Sequence, residues 1–158
     1  MKNRMMYFTT SLMLFLSIGV FAMAGYSQAQ QGDQAIMEGQ KAIMEGAKQM
    51  MDGTKEIMGT MSKKGMNDPG VMKADKMMSE GYEMIMKGDG MMKGATMPEG
   101  REMVKKGAKT MLEAQKEMTS AVGKTEMVKE CSIYLDTCKT GEQMVKEGAL
   151  MWYFGGGI

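Results

Sequence analysis

A seven-residue repeat constrains this chain more than any other feature. Three consecutive copies run Ile36-Met-Glu-Gly-Gln-Lys-Ala42, Ile43-Met-Glu-Gly-Ala-Lys-Gln49 and Met50-Met-Asp-Gly-Thr-Lys-Glu56, in the order apolar, Met, acid, Gly, variable, Lys, variable. On a helix advancing about 100° per residue, the first, second, fourth and fifth positions share one side and the acid and Lys share the other. The segment therefore reads as an amphipathic helix. Glu38/Lys41, Glu45/Lys48 and Asp52/Lys55 stand three residues apart on the polar side, spacing worth a few tenths of a kcal/mol per pair. Degenerate copies recur around Gly81, Gly88, Gly94, Gly100, Gly107 and Gly148, so most of the chain beyond residue 29 is built from this unit.

The glycines oppose that reading energetically. Each Gly inside a helix costs about 0.5–1 kcal/mol relative to Ala, so Gly39, Gly46, Gly53 and Gly59 together remove roughly 2–4 kcal/mol from the first helix. Such a helix is marginal alone. At heptad spacing, however, the glycines fall on the apolar flank, where a second helix can come close while long Met chains wrap around the contact. The other outcome is a loosely helical, partly disordered chain.

Punctuation divides the repeat into about four helices. Gly65-Met-Asn-Asp-Pro-Gly70 is the clearest turn, with Asp68 placed to cap a helix whose first residue is Pro69. Gly88-Asp-Gly-Met-Met-Lys-Gly94 is a second break, and Thr96-Met-Pro-Glu99 matches a capping box. A weaker interruption lies at Ser120 to Lys124. The last segment, Thr125 to Phe154, is one helix or two broken near Thr140-Gly141. The expected fold is all-α, with Gly/Met-rich helices arranged as antiparallel hairpins or a loose up-and-down bundle.

The N-terminal stretch is of a different kind. Lys2 and Arg4 precede an almost uncharged apolar run from Met5 to Met23, followed by small residues offering cleavage at Ala22-Met-Ala24 or Ser27-Gln-Ala29. This pattern predicts a secretory signal peptide over residues 1–29, a helical repeat domain over 30–154 and a flexible tail over 155–158. No Cys follows the apolar run to carry a lipid anchor. The mature protein is thus expected to be secreted and periplasmic, without stable membrane insertion.

Composition then excludes several functions. The 158 residues hold no His, which removes Ser-His-Asp and Cys-His relays and imidazole zinc sites. Carboxylates on a Lys-paired face are solvation, so no enzyme is expected. The formal charge of +1, which becomes −1 without Lys2 and Arg4, gives no field to hold nucleic acid. Methionine is the outlier, with 26 residues. After Ala29 it outnumbers Leu, Ile and Val together, so any core is a methionine core of flexible, polarizable thioethers.

Cys131 and Cys138 enter an oxidising route. If the segment between them is helical, a rise of about 10.5 Å separates them, too far for a disulfide whose Cα atoms lie under about 7 Å apart. A Cys131–Cys138 bond therefore requires a loop, and intermolecular bonding or free thiols are the alternatives. The spacing Met127, Cys131, Tyr134/Leu135, Cys138, Glu142, Val145 otherwise follows one helical face, with Glu142 out of place.

Methionine spacing separates the functional readings. Beyond residue 29 the thioethers recur at separations of six and seven, beginning Met37/Met44 and Met44/Met51; Met58/Met61 is the one pair three apart and none stands four apart. A helical chelate for Cu(I) or Ag(I) needs the latter spacings. Distributed thioethers instead suit sacrificial oxidation to sulfoxide, with reductases restoring them. The most regular candidates are Met37, Met44, Met51, Met58, Met84 and Met91, and Gly beside each Met is expected to open the thioether to solvent. Under the Cu(I)/Ag(I) alternative the donors are Met50, Met51, Met58, Met61, Met77, Met78, Met84, Met86, Met91 and Met92, together with the two Cys. A third reading is a structural or interaction bundle in which Met is only the core residue.

A secretion signal followed by units such as Ile36-Met-Glu-Gly and Met50-Met-Asp-Gly resembles the methionine-rich periplasmic proteins of reactive-chlorine defence. The similarity is compositional and spans residues 30–151. It implies methionine sulfoxide reductase as a partner; from the residues themselves, no resident cofactor is expected, and self-association through helices or Cys is the other partner reading. The chain is less closely similar to methionine-rich copper-resistance proteins, which pair Met with His. Trp152-Tyr153-Phe154 is expected either to pack the last helix or to form a docking tip.

Overall fold

A computed structural model describes residues 28–92 and 94–155, with side chains described over 34–92 and 94–152. Most of the expected signal peptide (residues 1–27 of 1–29), residues 156–158 of the expected tail and the side chains of Tyr153 and Phe154 lie outside the described residues. Four helices account for the rest: α1 (Gln28–Lys63), α2 (Pro69–Gly90), α3 (Met97–Val122) and α4 (Ser132–Gly155). Short 3-10 turns at Gly94–Thr96 and Glu126–Val128 precede α3 and α4. They pack as an up-and-down bundle, and no strand occurs among the described residues.

The punctuation acts much as the sequence indicates. Gly65 adopts φ +68°, in the left-handed region that glycine enters at no steric cost, and turns the chain after α1. Asp68 then accepts a hydrogen bond from the Val71 amide at 3.0 Å, capping α2 with Pro69 as its first residue. Two expectations need correction, and one open alternative is decided. The Thr96 capping box does not form: its hydroxyl donates to the Met91 carbonyl at 2.8 Å, which closes the turn around Gly94 (φ +62°). Of the two readings of the last segment, the helix runs unbroken through Gly141, which is buried against α1, and the interruption near Ser120 to Lys124 extends through Gly123–Cys131. Glu38 does not hold Lys41, which reaches forward to Glu45 at 3.8 Å. Four residues bring side chains closer to one line on the helix than three do, and both groups are more than half exposed, so the pair contributes little.

Pairing of the helices follows the glycines. Along the α1/α4 seam, Gly39 meets Gly148 and Gly46 meets Gly141, while Gly53 receives Cys138. Along the α2/α3 seam, Gly81 meets Gly107 and Gly88 meets Gly100. Each step of seven along one helix is answered by a step of seven back along its partner, which fixes an antiparallel register. The first and last helices are thus joined as tightly as the α2/α3 hairpin, a pairing that short connections alone do not specify. The glycine cost read from the sequence is offset by this close approach of backbones.

Within each heptad the first, fourth and fifth positions form the core. Ile43, Met50 and Ile57 are 1% exposed or less, as are Ala47 and Thr54. Two clusters stack along the bundle. One gathers Ile43, Met50, Met78, Ile85, Val104, Met111 and Val145 from all four helices, with Trp152 packed against it. The other gathers Ile57, Met61, Val71, Met118, Met127, Cys131, Leu135 and Cys138. Glu142, out of place on the apolar face, binds Lys146 at 2.6 Å and keeps its side chain 18% exposed.

Candidate functional site

The second heptad position, always Met in the three regular copies, runs along the rim of the bundle. Its burial rises and falls along α1. Met37 is 70% exposed, Met44 half-buried, Met51 8% exposed and Met58 half-buried. Met84 on α2 and Met91 just after it are also half-buried. Of the six regular candidates, Met37 is therefore the open one and Met51 belongs to the core. The glycines do not open the thioethers to water, as the sequence suggested; Gly39, Gly46 and Gly53 face α4 and are buried.

Four exposed methionines are not among the six oxidation candidates taken from the sequence, and of these Met86 alone is named there, as a soft-metal donor. Met72, Met86, Met97 and Met151 are each between 38% and 53% exposed. Their signal is visible in part: Met72 and Met86 lie outside the apolar, Gly and small-residue positions that the α2/α3 seam uses. At the other extreme, Met50, Met61, Met78, Met111 and Met118 are 2% exposed or less. Thioether chemistry is thus graded from the surface to the centre of the molecule.

The donors nominated for a soft metal are not brought to one place. Met50, Met51, Met77 and Met78 meet in the first core cluster, with Met44 and Met111. Met58 and Met61 lie in the second, where Met118, Met127 and both cysteines join them. Met86 is on the outer surface, and Met84, Met91 and Met92 are half-buried at the end of α2 and beyond.

The condition for an intramolecular disulfide, a loop between the cysteines, is not met. Residues 132–138 are helical, and both thiols are free and buried. Cys138 sits in the hole left by Gly53, where its thiol donates to the Met50 carbonyl at 3.5 Å and lies 4.0 Å from the Thr54 hydroxyl. Burial pushes this thiol up to about 11, against a smaller lowering by the Thr54 hydrogen bond. The Cys131 thiol is also raised, first by burial and then by the neighbouring Glu130 carboxylate. Both are inert packing groups at neutral pH rather than nucleophiles. Burial likewise raises Asp75, with Lys55 across on α1 pulling it back down.

Comparison with known proteins finds no matching family model, no matching curated protein and no matching solved structure. No helix among the described residues is long and apolar enough to cross a membrane.

Proposed function

We propose that the mature chain is a secreted, periplasmic, non-enzymatic oxidant sink whose rim thioethers are consumed and then restored by methionine sulfoxide reductases. The supporting observation is a division of labour. The closest helix contacts are made by glycine backbone at Gly39/Gly148, Gly46/Gly141, Gly81/Gly107 and Gly88/Gly100, while Met37, Met72, Met86 and Met97 stand exposed away from those contacts and Met151, whose Cβ borders Gly39, is still 41% exposed. A sulfoxide is larger and more polar than a thioether, and at these positions it meets water rather than core. The chemistry balances simply. Hypochlorous acid transfers its oxygen to sulfur and leaves as chloride and a proton; a reductase later supplies two electrons and two protons and releases water.

The Cu(I)/Ag(I) alternative draws on the second core cluster, where two thiols and the thioethers of Met61, Met118 and Met127 share one buried region. Native mass spectrometry distinguishes the two readings. Graded uptake of several oxygens under limiting hypochlorite, with helix content retained and mass restored by reductases, is the expected result. Tight uptake of a small fixed number of Cu(I) ions, with methionines protected from oxidant, overturns the sink and favours the metal.

A further inference from the structure

The two glycine seams leave the α3/α4 face comparatively open. Ala108 and Ala149 are the small residues that line it from α3 and α4, and between these helices lies a cavity of about 520 Å³. That volume falls within the range of small-molecule sites, roughly 300–1,000 Å³. Its apolar wall is formed by Ile43, Leu112 and Trp152, and its charged wall by Arg101, Lys105 and Lys109. Glu102 is the one acid in the lining and stands 3.9 Å from Lys105. Among the described residues Lys109 pairs with an exposed Glu113, at 4.0 Å. Positive charge is therefore in excess over an apolar floor.

A second, independent observation concerns hydrogen bonding. Arg101 Nε and Trp152 Nε1 are both buried and have no acceptor among the described residues. Buried N–H groups are nearly always paired, so two unpaired donors on residues that line one cavity are available to an acceptor that reaches them from it. Neither group can be an acceptor itself, so a partner must bring lone pairs, which a carboxylate supplies on two oxygens.

We propose that this groove binds a small amphiphilic anion, a carboxylate carried on an apolar chain. The carboxylate sits beside Arg101 and Trp152, whose side chains must rotate on binding to turn their shielded N–H groups onto an oxygen; Lys105 and Lys109 supply the field. The chain lies along Ile43 and Leu112. Nothing in this proposal depends on methionine oxidation, so it stands or falls apart from the oxidant sink.

Trp152 is the only tryptophan, which makes its fluorescence a direct report on the groove. The test titrates the mature protein with decanoate, decanol and decyltrimethylammonium, each below its micelle concentration. Decanoate is expected to change Trp152 emission saturably, with decanol at least tenfold weaker and the cation without saturable effect. Arg101→Gln should weaken decanoate at least fivefold with helix content unchanged, and Arg101→Lys should recover part of the loss. Ala149→Leu, which fills the groove from α4 without altering charge, should abolish the response. Equal affinity for decanoate and decanol, an unaltered response in folded Arg101→Gln, or no saturable signal from decanoate overturns the proposal.

Discussion

Gly46 and Gly141 are each other's reason for being glycine. A Cβ on Gly46 would stand 2.5 Å from the Gly141 carbonyl oxygen, and a Cβ on Gly141 would stand 2.5 Å from that of Gly46. The same reciprocity holds at Gly39 and Gly148, one heptad further toward the chain ends. Backbone meets backbone at these points, so no side-chain rotation relieves an added methyl group. The seam between the first and last helices is accordingly specified by absence of side chain at a seven-residue interval.

Gly46→Ala should destabilise the protein although Ala is the better helix former. The propensity gain of about 1 kcal/mol is outweighed by forcing α1 and α4 apart, an overpacking cost of about 1–3 kcal/mol beyond that gain. Gly59 supplies the control. It lies in the same helix with nothing within 4 Å of its Cβ position, so Gly59→Ala should stabilise by about 0.5–1 kcal/mol. Urea titration of both variants checks the pair. A stabilising Gly46→Ala would show that the seam is looser than described.

Gln115 marks a different kind of cost. It is 1% exposed on α3, and its Nε2 donates to the Thr119 hydroxyl at 3.3 Å while its Oε1 has no partner among the described residues. An unpaired buried acceptor costs about 1–3 kcal/mol. Gln115→Met keeps the unbranched shape and removes both polar atoms, so a stability gain of about 1 kcal/mol is expected, read as a higher Tm with an unchanged denaturant m-value. A loss of stability would mean that the amide oxygen has a partner.

Much of this architecture is legible in the residues. Asp68-Pro69 announces the start of α2, and the heptads mark Gly39 and Gly46 as flank rather than surface. The partner of each helix is not legible, because Gly141 and Gly148 match Gly46 and Gly39 only once the antiparallel register is known. Gly141 consequently leaves a break open in the sequence and is a helix contact in the structure. Methionine exposure is legible only in part for a related reason. Met37, Met44, Met51 and Met58 occupy one heptad position, yet their surroundings change as α2 and α3 pack along α1, so identical spacing yields open, half-buried and buried sulfur.

The Cys138 thiol should behave as a pH-dependent packing group. Burial holds it protonated to about 11 against an ordinary value of 9.0, so at pH 8 its thiolate fraction is about 100-fold below that of an unfolded cysteine. Alkylation by iodoacetamide should be slower in native than in urea-unfolded protein by at least that factor. The linkage has a definite sign: an unfolded thiol loses its proton first, so this contribution is intact below about pH 9 and is lost as pH rises toward about 11. Thr54→Val removes the hydrogen bond that partly lowers the thiol, and should push its titration higher still. Equal alkylation rates in the two states would contradict the buried placement.

Oxidation order is the prediction that joins structure to the proposed role. Under limiting hypochlorite, peptide mapping should find sulfoxide first at Met37, Met72, Met86, Met97 and Met151, which are exposed, and last at Met50, Met61, Met78, Met111 and Met118, which are not. Attack on the second group requires opening of the bundle, because a polar sulfoxide in either core cluster breaks its packing. Helix content should therefore hold through the first set of oxygens and fall with the second. Replacing the five exposed methionines by Leu is expected to leave stability nearly unchanged, since volume-conserving swaps at the surface cost little, and to remove the early, reductase-repairable phase. If those five and the core methionines oxidise together from the first oxygen, the glycine seams do not protect the bundle and the rim has no separate role.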